Sequence, residues 1–145
     1  WFLIVALAFM FGSLCSGTLT KRISINSMIS IGHTISLLGA ATLFLLSSYG
    51  HLNYVSLFIP MSLLTFGRGL SQPSAQSAAI ACALSRAGTA SGLLGFIQLI
   101  IGASIAQLAP LLMDYSINIL FFIILLAPIL ALICHYLTVK MNKSK

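Results

Sequence analysis

The chain has 145 residues, of which 59% are hydrophobic and 6% charged, with a mean hydropathy of +1.11. Soluble domains carry about 25% charged residues, so this composition excludes a water-covered globule and points to lipid as the solvent. The net charge of +6 is spread thinly between apolar runs, which excludes the clustered basic face that nucleic acid requires.

Bridging about 30 Å of hydrocarbon takes roughly 20 apolar residues at 1.5 Å each. Five stretches meet that length: 1–19, 27–48, 54–84, 89–112 and 117–139. The expectation is an all-α membrane protein with five transmembrane helices, followed by a basic cytoplasmic tail over 140–145. The polar links between them are short, which makes sequential helices antiparallel. Trp1 opens the chain inside an apolar run, with no basic n-region or cleavage site. No signal peptide is expected, and a part upstream is.

The first helix runs to Leu19 and leads into Lys21 and Arg22. The second carries His33, about 10 Å from its start, where an imidazole serves either as a proton relay or as a hydrogen-bonded link between helices. The third holds Gly67, Arg68, Gly69, Ser71, Gln72, Pro73, Ser74, Gln76 and Ser77. This stretch predicts a bend near Gly69 to Pro73 and an extension past the inner boundary. Arg68 lies about 21 Å along the helix. A charge at that depth either faces a cavity or serves a structural role near the interface.

The fourth helix shows a small-residue seam of Gly88, Gly92, Gly95 and Gly102 on one face, expected to permit a close helix–helix contact or a sliding surface. Ser91, Gln98 and Gln107 share that helix; glutamines there reach a neighbouring helix or a water-filled cavity. The fifth is nearly pure Ile, Leu, Phe and Ala with Pro128, as suits a lipid-facing helix. His51 belongs to an outer loop and His135 lies near the inner interface, so the three histidines do not assemble a metal site. Cys15, Cys82 and Cys134 lack metal or redox spacing and read as free thiols.

Six of the seven basic residues (Lys21, Arg22, Arg86, Lys140, Lys143 and Lys145) share one side of the alternating path, and the only acid, Asp114, falls on the other. By the positive-inside rule, the N-terminal end lies outside and the C-terminus is cytoplasmic.

Gly17 and Arg22, in the run Gly17-Thr18-Leu19-Thr20-Lys21-Arg22, resemble a degenerate G-x-x-x-D-R-x-G-R loop motif of the major facilitator superfamily. Lys21 stands for the aspartate, Ser24 for the second glycine and Ile25 for the last arginine. The stretch from Arg86 to Gln98, with Ala87-Gly88-Thr89-Ala90-Ser91, resembles the start of the eleventh helix in the bicyclomycin/chloramphenicol-resistance (Bcr/CflA) branch. Phe11-Gly12-Ser13, Gly67, Gly69 and Pro73 fit the same resemblance, which covers essentially the whole chain.

The resemblance implies helices eight to twelve of a twelve-helix transporter, within its C-terminal six-helix bundle, in the cell inner membrane. It implies a proton-coupled exporter of varied small molecules, with an N-terminal half as partner and the lipid bilayer as environment. In that fold the eighth, tenth and eleventh helices line the central cavity and the ninth and twelfth lie outside. Arg68, Gln72, Gln76, Ser91 and Gln98 are the substrate-cavity candidates. Arg68 itself takes no role from the family.

The coupling carboxylates are expected in the absent part, so this chain is not expected to transport alone. The alternative is a structural membrane module, or gene remnant, assembling through the glycine seam. With one carboxylate, scattered histidines and no nucleophile motif, the pattern for an enzyme is missing; no cofactor or metal is called for.

Overall fold

The structure, a computed structural model, describes residues 2–49, 53–115 and 117–143. Trp1, His51 and Lys145 lie outside the described residues. Within them the chain forms five α-helices: α1 (Phe2–Leu19), α2 (Ile25–Ser48), α3 (Tyr54–Ala81), α4 (Ala87–Tyr115) and α5 (Ile117–Lys143). A 3₁₀ turn, Leu84–Arg86, separates α3 from α4.

Each boundary has a local cause. Ser24, in extended backbone with φ −62° and ψ 146°, caps α2 by accepting a hydrogen bond from the Ser27 amide at 3.3 Å, so the helix starts two residues before the apolar run at 27. Asn53 and Ser56 form a reciprocal capping box at the start of α3, satisfying amides that have no partner inside the helix. The third helix ends at Ala81, not at 84, because Ala83 leaves helical geometry with φ −127° and ψ 46°. The expected tail is helical to Lys143. At 1.5 Å per residue, α5 is about 40 Å long, about 10 Å more than a bilayer's hydrocarbon requires.

Four helices (α1, α2, α4 and α5) are long and apolar enough to cross a membrane. Their outer faces are bare hydrocarbon: Phe11, Leu14, Leu38, Leu99, Leu130 and Ile133 are all exposed. The protein is thus a membrane-embedded helical bundle. Helix α3 is more polar, yet it is the centre of the bundle, packed between α1 and α2.

The register follows from side-chain pairs. Phe2 meets Phe58 edge to face at 5.6 Å, Thr65 donates to the Val5 carbonyl at 3.4 Å, and Ser16 shares a hydrogen bond with Ser74 at 3.0 Å. Rising numbers on both helices make α1 and α3 parallel. Ser36 donates to the Leu64 carbonyl at 3.0 Å and Gly32 sits against Gly67, so α2 runs antiparallel to α3. Helix α5 runs antiparallel to α2, through Phe44 on Phe122 at 6.1 Å and His135 Nε2 donating to the Asn26 carbonyl at 3.1 Å. This register gathers Lys21, Arg22, Arg86 and Lys140 at one end of the bundle.

Small residues let these helices approach. A Cβ placed on Gly67 would lie within 2.6 Å of Gly32 and Ser36 backbone atoms, and one on Gly39 within 2.9 Å of Leu64 and Pro60 backbone atoms. On the other side of α3, Gly12 and Gly69 back onto each other. Lipid tails are as apolar as the helix surfaces, so close van der Waals packing and interhelical hydrogen bonds hold such contacts. Met28, Ala40, Leu43 and Leu70 fill the remaining interior, and Ser16, Ser36, Ser71 and Ser74 are buried beside them. Every buried side-chain nitrogen and oxygen among the described residues has a hydrogen-bond partner.

Candidate functional site: a polar cavity between helices three and four

The site begins with the helical period of α3. Gly67 packs on α2 and Gly69 on α1, while consecutive side chains point about 100° apart. Arg68, between them, is left on a third direction and is exposed. Residues 68, 72, 75, 76 and 79 follow the i, i+4, i+7 pattern of one helix face, and all five line a cavity of about 780 Å³. The opposite wall is α4, through Leu94, Gln98, Ile101, Gly102 and Ile105 at the same spacing; α2 adds His33.

Gln76 Nε2 donates to Gln98 Oε1 at 3.2 Å across this gap, tying the two walls together. Arg68 makes no hydrogen bond or ion pair with another described residue. It stands about 21 Å along a helix of 28 residues, close to mid-length. A second chamber of about 350 Å³ shares His33, Arg68 and Ile105 with the first and continues between α2, α3 and α5. Its remaining lining is almost wholly apolar: Leu64, Ile123, Ile124, Ala127, Pro128 and Ala131, with Ser36.

Four of the five cavity residues singled out in the sequence, Arg68, Gln72, Gln76 and Gln98, therefore share one space. Ser91 does not join them; its hydroxyl turns back to the Gly88 carbonyl at 2.9 Å. Gln107 is exposed and outside the lining. His33 lines both chambers, a placement that period-counting on α2 alone does not reveal. Gly17 and Arg22 are exposed at the basic end of the bundle.

Among the described residues, nothing lies within 4 Å of a Cβ on Gly88, Gly92, Gly95 or Gly102, so the α4 seam is open. The close approaches belong instead to Gly12, Gly32, Gly39, Gly67 and Gly69. Their signal was present in the sequence as small residues four apart, Gly12 with Ser16, Gly32 with Ser36 and Gly67 with Ser71. Helix α1 lies behind α3, held there by the Gly12–Gly69 approach and the Ser16–Ser74 bond, while α2 and α5 contribute lining.

Among the described residues, no group of three His, Cys, Asp or Glu side chains is placed to hold a metal ion. The three cysteines are free. No protein-family model, curated protein or solved structure matches this chain.

Proposed function

We propose that the chain forms part of the C-terminal half of a secondary transporter of the major facilitator type, a proton-coupled small-molecule exporter resembling the Bcr/CflA branch. The observation that supports this most is the polar face of α3, which opens with Gln98 of α4 into one cavity inside an otherwise apolar bundle. A membrane anchor has no use for an arginine and three glutamines at that depth, because polar groups in hydrocarbon are costly and concentrate along substrate or ion pathways.

In this reading α3 and α4 supply most of the cavity wall, α2 and α5 add lining, and α1 supplies scaffold. The exposed face of α4, with Gly92 and Gly95 open, is where helices of the other half would pack. Asp114 is the single acid of the chain, and Ile105 is the last α4 residue of the lining, about 14 Å short of it along the helix. Proton-coupling carboxylates would then come from the other half. The basic end faces the cytoplasm of the inner membrane by the positive-inside rule.

Reading the coding DNA upstream of Trp1 tests the proposal. Seven further apolar segments in frame, with a carboxylate in the first, are the expected result. An in-frame stop codon directly before Trp1 would overturn it. The open α4 seam also suits a second reading, a module that assembles with copies of itself. Replacing Gly92 and Gly95 with leucine would then abolish assembly in cross-linking, and unchanged assembly would rule that reading out.

A further inference from the structure

The two chambers differ in chemistry, and Arg68 stands where they join. On one side are the amides of Gln72, Gln76 and Gln98; on the other are Ile123, Ile124, Ala127 and Ala131. Among the described residues, Arg68 and His33 are the only ionisable side chains on either wall. Arg68 is exposed to the cavity and makes no hydrogen bond or ion pair with another described residue, and an unpaired charge within a membrane bundle is costly. Its neutralisation therefore falls to whatever enters the cavity.

We infer that the cavity binds a monoanionic amphiphile, with the anionic head against the Arg68 guanidinium and the apolar tail in the chamber beside α5. A guanidinium presents a planar fork that matches a carboxylate or phosphate in two parallel hydrogen bonds. The glutamine amides offer further donors to the same head, and the 350 Å³ chamber accepts hydrocarbon without a polar partner. A cationic or neutral amphiphile satisfies the tail but leaves Arg68 unpaired. The ligand is cargo only if the transporter reading holds; the binding is a property of this chain and is measured without transport.

The test uses the full chain in nanodiscs of phosphatidylcholine. The probes are a diazirine-bearing dodecanoate and its neutral primary amide, with the labelled peptides mapped by mass spectrometry. The carboxylate should label the α4 and α5 lining saturably, at a concentration at least about tenfold below the amide. R68Q should bring the two probes together, R68K should keep the preference, and R86Q, which alters a cation outside the cavity, should leave it unchanged. Equal saturation of the two probes on the unaltered chain would overturn the inference. So would a preference that survives in R68Q. Replacing part of the lipid with phosphatidylglycerol separates the sources of the anion. A tenfold rightward shift of the carboxylate curve assigns the site to an anionic lipid head, and an unchanged curve to a free carboxylate.

Discussion

Replacing Gly67 with alanine drives a methyl group into the backbone of α2. The new Cβ would lie 2.5 Å from the Gly32 carbonyl oxygen and 2.6 Å from the Ser36 amide nitrogen, where ordinary contact begins at 3.4 Å. Backbone cannot rotate away as a flexible side chain can, so α2 and α3 must part by about 0.9 Å at this level. A gap of 0.5–1 Å forfeits a quarter to a half of each dispersion contact it opens. The Ser36 bond to the Leu64 carbonyl, 3.0 Å long, is stretched by the same movement, and such bonds are worth about 0.6 kcal/mol in membranes. Overpacking of this kind costs about 1–3 kcal/mol in all. Titrating the micelle-bound chain with dodecyl sulfate and following helical circular dichroism should show the unfolding midpoint fall. Gly92→Ala is the control: its Cβ meets nothing within 4 Å, and removing a helix glycine stabilises by about 0.5–1 kcal/mol. If G67A matched the unaltered chain, or G92A fell as far, the assignment of tight packing to α2–α3 rather than α4 would be wrong.

Other outcomes follow from the same geometry. A double-mutant cycle of Ser16→Ala and Ser74→Ala should return a coupling of about 0.6 kcal/mol from the 3.0 Å bond between α1 and α3; zero coupling would remove that bond from the register. The same cycle on Gln76→Leu and Gln98→Leu should show coupling across the cavity through their 3.2 Å contact, and independent effects would mean the walls are not joined there. A membrane-impermeant maleimide should reach Cys82, exposed at the C-cap of α3, in inside-out vesicles and not in intact cells. Labelling from the outside would invert the proposed orientation. The chain alone in proteoliposomes should show no proton-driven dye efflux, and efflux by it would refute the assignment of the coupling groups to another part.

The membrane class was legible because it depends on sums: apolar content and helix length decide the solvent whatever the partners. Helix ends were legible to within a few residues where polar caps such as Ser24 and Asn53 interrupt apolar runs. The basic stretch from Lys140 to Lys143 continues α5 as helix, because charged residues extend a helix readily. Which face of α3 is polar was also legible, since Arg68, Gln72 and Gln76 recur at the helical period.

Composition, period and charge alternation thus determined by themselves an all-helical membrane chain with a polar third helix and six of its seven basic residues on one side. Only the tertiary structure decided which faces meet. A glycine seam states that a backbone can be approached, and not that anything approaches it; α4 carries the clearest seam and α1, α2 and α3 carry the contacts. Likewise nothing local in the sequence joins His33, Arg68 and Gln98, which belong to three helices and meet around one cavity. Their meeting is set by how α2, α3 and α4 pack, a long-range choice that one helix's periodicity does not contain.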